Sequence, residues 1–108
     1  MFRLQKAFVG ILVTMIPSAA MSQEIGDKQM GMQYAIEVCS DCHAVRDGEP
    51  KSLLAKAPSF EDIANTSGMT ALALTVWFKS EHPSMPTIRM TEEEMRNVIQ
   101  YIISLKNE

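Results

Sequence analysis

Two cysteines, two histidines and one tryptophan are all that the 108 residues contain of those three types. So little cysteine excludes a framework of several disulfides. A four-ligand zinc site would have to use every Cys and His in the chain, with His82 far from the rest. Strand-like alternation, internal repeats and low-complexity segments are missing, and so is the βαβ pattern that accompanies a redox Cys-x-x-Cys. What is left is an all-α class. No apolar run reaches the roughly 20 residues that a membrane span requires. Basic residues are outnumbered, ten against thirteen acidic for a net charge of −3, which argues against a nucleic-acid partner.

The longest apolar run, Ala7 to Ile16, follows Arg3 and Lys6 and stops at Pro17, before the small residues Ser18, Ala19 and Ala20. This is the pattern of a secretory signal peptide, with cleavage expected after Ser22; an uncleaved membrane anchor is the alternative. Residues 1–22 are then the signal and residues 23–108 the mature domain, which is expected in the periplasm without stable membrane insertion. Losing Arg3 and Lys6 takes the net charge to −5, so a partner with a basic docking surface is expected. A domain of this size is near the lower limit for stability from apolar burial alone and needs a staple.

The stretch Cys39-Ser40-Asp41-Cys42-His43 supplies one. On a helix, Cys39 lies three residues from Cys42 and four from His43, so the three side chains would leave one face. That spacing reads as a covalent haem attachment site: each thiol forms a thioether, and the imidazole reaches the iron as the proximal ligand. In an oxidising compartment the two thiols would otherwise pair with each other.

Around this stretch the pattern predicts four helices. The first spans Asp27 to Val38, with Met30, Tyr34 and Val38 as its apolar stripe. Gly31 costs about 1 kcal/mol there relative to Ala, which points to close packing or to tolerated composition. After a loop over Arg46 to Ala57, Ser59 and Asp62 open a short helix over Phe60 to Asn65. Pro58 either just ends that loop or also offers its carbonyl to the His43 ring nitrogen that faces away from the metal. Met69 to Lys79 reads as a buried helix, apolar over most of its circumference, in which Trp77 either packs in the core or touches the haem. Thr91 and Glu94 form a capping box for the last helix, whose stripe is Met95, Val98, Ile99, Ile102 and Leu105, flanked by Tyr101.

The group on the iron's other side decides between electron transfer, gas binding and catalysis. Met30, Met69 and Met95 lie on helices and are assigned to the core, and His82 to a solvated turn. Met85 is held in a loop between Pro83 and Pro86, which restrict the backbone. Met90, in the same loop beside the helix cap, is its competitor and can instead pack against the last helix.

The export signal, the Cys39–His43 motif, Met85-Pro86 and the terminal helix through Leu105 together resemble the small class I c-type cytochromes of bacteria. The resemblance covers essentially all of residues 23–108. It implies an orthogonal helical bundle around one covalent haem c, linked by Cys39 and Cys42, with iron held by His43 and Met85. It matches Pro58 to the proline that orients the proximal His, and Gly31 and Tyr101 to the glycine and aromatic where the first and last helices cross. The family often has an aromatic four residues before the first Cys, where this chain has Ala35. The function implied is a monomeric electron carrier with no catalytic residues, serving redox partner proteins. The alternatives are a gas- or peroxide-reacting haem protein with an open sixth site, and a cytochrome subunit of a larger oxidoreductase.

Overall fold

A computed structural model describes residues 7–16, 25–49, 51–86 and 88–107. The described elements are α1 (Lys28–Val38), a 3₁₀ turn (Cys39–Asp41), α2 (Phe60–Ala64), α3 (Ala71–Lys79) and α4 (Glu92–Ser104), with no strand among them. Residues 7–16 have no regular secondary structure and are exposed, and the expected cleavage point after Ser22 lies outside the described residues. Among those residues, no helix is long and apolar enough to cross a membrane.

Each helix starts where a short polar side chain can take up a free backbone amide. Asp27 caps α1 by accepting from the Met30 amide, Ser59 caps α2 through Asp62, and Thr70 caps α3 through Ala73. At α4 the box is reciprocal: Thr91 Oγ1 accepts from the Glu94 amide at 3.1 Å, and the Thr91 amide donates to Glu94 Oε1 at 2.9 Å. Three acidic residues in that first turn also complement the helix dipole.

The last helix is the axis of the fold. It packs against α1, α2 and α3, and Met95, Val98, Ile99, Tyr101 and Ile102 are all buried on it. Its crossing with α1 is the tightest contact. A Cβ on Gly31 would run into the carbonyl of Asn97 and reach the Tyr101 side chain, and one on Gly26 would run into the carbonyl of Arg96. The two backbones therefore touch with no side chain between them. Asn97, itself buried, holds the register by accepting from the Asp27 amide at 2.7 Å.

Two expectations are corrected. The fully buried residues of α1 are Gly31 and Ala35; of the expected stripe, Tyr34 and Val38 pack half-buried against the core, but Met30 is 51% exposed. Contact with α4 requires small residues, so backbone proximity outweighs side-chain hydropathy in choosing the face. The third helix starts at Ala71, not Met69, and buries only Leu74, whereas Leu72 and Val76 are exposed. One side of α3 faces a cavity and the other faces solvent, so the helix is flanked rather than enclosed.

Replacing Gly31 with Ala should gain about 1 kcal/mol from helix propensity. The overlap with Asn97 should outweigh that gain, for a net loss of about 1–3 kcal/mol, measurable as a lower denaturant midpoint.

Candidate haem-binding site

A cavity of about 700 Å³ opens between the 3₁₀ turn on one side and α3 with its following loop on the other. Its lining includes Cys39, Cys42 and His43 of the motif and, from α3 and the loop after it, Trp77, Phe78 and Met85. Phe60, Ile63, Leu74 and Ile102 make its apolar interior. This volume lies within the ~300–1,000 Å³ of small-molecule and cofactor sites.

The attachment motif leaves the α-helix before it begins. Val38 is the last residue of α1, after which the chain tightens into the 3₁₀ turn, with the Cys42 and His43 amides both donating to the Cys39 carbonyl at 3.2 and 2.9 Å. That winding still brings all three side chains to the cavity, so the expected convergence arises on a turn instead of a continuous helix. Downstream, the Leu54 amide donates to the Cys42 carbonyl at 3.1 Å and the Phe60 amide to the Ala44 carbonyl at 2.8 Å. The Ala44 amide in turn donates to Ser52 Oγ at 2.9 Å. The loop is folded back over the motif by these bonds.

His43 Nδ1 lies 2.6 Å from the carbonyl oxygen of Pro58. Since a carbonyl can only accept, Nδ1 carries the hydrogen, and the lone pair of the neutral ring is on Nε2. Rings pack behind it in sequence, with His43 and Phe60 centroids 5.5 Å apart and those of Phe60 and Tyr101 6.3 Å apart. Tyr101 donates its hydroxyl to the Val45 carbonyl, which ties α4 to the residues just after the motif. Burial and, to a lesser degree, the charges of Asp47 and Glu49 push the Tyr101 phenol above its ordinary pKa, against a lowering by Arg46, so it remains a donor.

Cys39 and Cys42 are unpaired thiols, the first buried and the second half-buried. Burial pushes the Cys39 thiol up to about 11. A thiol–disulfide redox centre needs the opposite, a depressed pKa that supplies thiolate at neutral pH. Among the described residues no group of three or more His, Cys, Asp or Glu side chains could hold a metal ion, which also sets the zinc reading aside. Two thiols, an oriented imidazole and a thioether lining one largely apolar cavity do fit a haem.

The methionines divide by position. Met85 lines the cavity, whereas Met90 is absent from its lining and packs, half-buried, against the core. Met95 is buried in the core, and Met69 both lines the cavity and packs on the core. Trp77 is 47% exposed on the cavity wall, so the core alternative for it does not hold. His82, expected to be solvated, is half-buried and stacks on Trp77. Gly26 and Asn97 escaped the sequence reading. The Gly26/Gly31 spacing and the polar Asn97, four residues before Tyr101 on one helix face, were the available signals.

The fold and the site together define an all-α protein with the cytochrome c fold. Over 95 residues, covering 88% of this chain and 90% of the relative, the sequence is 28% identical to cytochrome c-552 of Bradyrhizobium diazoefficiens. That likeness supports a c-type cytochrome, an electron-transfer protein that carries haem c and its iron. No family model matches the chain, and no solved structure matches it.

Tyr101→Phe leaves the Val45 carbonyl without this donor. A loss of about 1–3 kcal/mol in unfolding free energy is expected, with the visible spectrum of the folded protein retained.

Proposed function

We propose that the chain is a periplasmic electron carrier with one covalent haem, its iron held by His43 and Met85. The observation that supports this reading is that Cys39, Cys42, His43 and Met85 all line one largely apolar cavity. When bound, the haem supplies a reversible one-electron step between Fe(II) and Fe(III).

The chain's own residues do the rest. Cys39 and Cys42 would tether the group, and the Pro58 carbonyl, by engaging Nδ1, leaves Nε2 as the nitrogen of His43 free to bind the iron. Met85 would offer a thioether from the same cavity, which favours the reduced state and raises the potential. Phe60, Leu74 and Ile102 exclude water and keep the dielectric low. Were His43 and Met85 both to hold the iron, no position would be left on it for a substrate, which favours electron transfer over catalysis.

Residues 1–22 direct export, and residues 23–108 form the carrier. The excess of acidic residues favours a redox partner with a basic docking surface, met in a transient, salt-sensitive contact. The carrier acts as a monomer.

Intact mass of the exported protein should equal residues 23–108 plus one haem. Met85→Ala should abolish the weak sulfur-to-iron charge-transfer band of the oxidised protein and lower the potential, whereas Met90→Ala should do neither. The reverse result would place the ligand at Met90. Ready carbon monoxide binding by the reduced wild type would mean an open sixth site, against this reading. His43→Ala should yield no stable holoprotein.

A further inference from the structure

The loop that presents Met85 begins with a second ring. His82 lies flat on Trp77, the ring centroids 3.4 Å apart and the planes 12° from parallel. Its Nε2 is 2.8 Å from the Trp77 carbonyl oxygen, to which it donates. That carbonyl belongs to the last turn of α3, where oxygens lack intrahelical partners, and it also accepts from the Ser80 amide at 3.1 Å. Ser80 Oγ satisfies the preceding Val76 carbonyl at 2.6 Å. Ser80 and His82 thus cap the helix and set the direction in which the chain leaves it.

Three residues later that chain delivers Met85. His82, Trp77 and Met85 also share a small void of about 40 Å³ between the loop and the end of α3. Trp77 faces the large cavity as well, so the face of α3 that meets the bound group is the one that His82 holds.

We propose that His82 is a positioning residue for Met85: its stack on Trp77 and its bond to the Trp77 carbonyl clamp the start of the loop to the cavity wall and keep the thioether directed inward. This rests on Met85 being the sixth ligand. The clamp does not touch the iron. It acts by lowering the fraction of molecules in which the loop has swung away and left the position open.

That fraction is measurable, because an added ligand such as imidazole competes with the thioether and its apparent affinity scales with the open population. In the oxidised holoprotein, His82→Ala should raise imidazole affinity roughly tenfold, the size expected for losing one cap-type hydrogen bond together with a stack, and should weaken the charge-transfer band. His82→Gln, which keeps an N–H donor, and His82→Phe, which keeps the stack, should each restore part of the wild-type behaviour. Asp27→Ala removes the α1 cap far from the loop; it should lower the melting temperature and leave imidazole affinity unchanged. Wild-type affinity in His82→Ala, or an equal rise in Asp27→Ala, would overturn the clamp while leaving the ligand assignment intact. A wild-type protein without the band, unaltered by Met85→Ala, would instead remove the ligand assignment and the clamp with it.

Discussion

Everything in this small fold hangs on two backbones meeting without side chains between them. Gly26 and Gly31 let the first helix lie against the carbonyls of Arg96 and Asn97 on α4, and Asn97 locks the register through the Asp27 amide. Apolar packing tolerates sliding; a contact of this kind does not, because any Cβ at the crossing is an overlap. The motif follows directly from the end of α1, so its height along α4 is set by that register. Tyr101, beside the crossing, then reaches the Val45 carbonyl and joins the same helix to the far side of the motif.

The two walls of the cavity are built by different physics. On the His43 side, apart from the Tyr101–Val45 bond, the ties are local or short-range: a 3₁₀ turn, amides returning to Cys42 and Ala44, and a proline carbonyl fifteen residues away. Such contacts cost little chain entropy and orient the ring tightly. On the Met85 side the chain leaves the end of α3 and must find its way back to α4. Its restraints are two prolines, the cap formed by Ser80 and His82, and an exposed ion pair of Lys79 with Glu92 at 3.4 Å. Pairs as exposed as that contribute little, so the cap matters more than the charge.

The exposure of α3 follows from this division. Leu74 reaches the core, Ala73, Trp77 and Phe78 face the cavity, and Leu72 and Val76 have no covering element. A chain this short cannot surround an apolar helix with others of its own. Its third helix therefore lines the cavity on one side while packing against α4.

The approximate helix positions, the caps of α2 and α4 and the convergence of Cys39, Cys42 and His43 were legible in the sequence, because capping boxes, periodicity and a five-residue motif are all set by near neighbours; the Thr70 cap that starts α3 at Ala71 was not. The cytochrome-like class was legible as a resemblance, carried by the Cys39–His43 motif, Met85-Pro86 and the terminal helix together. The crossing at Gly31 was legible through the family resemblance, but the full burial of Ala35 and the exposure of Met30 were not, since hydropathy favours Met30 while the crossing demands small residues. Nor was the partition of Met85 from Met90: both sit in one loop, and only the path from α3 to α4 places the first against the cavity and the second against the core. The sequence alone determined the chemical groups and their local spacing. Tertiary structure decided which groups face one another, because that depends on a backbone contact between residues about seventy positions apart.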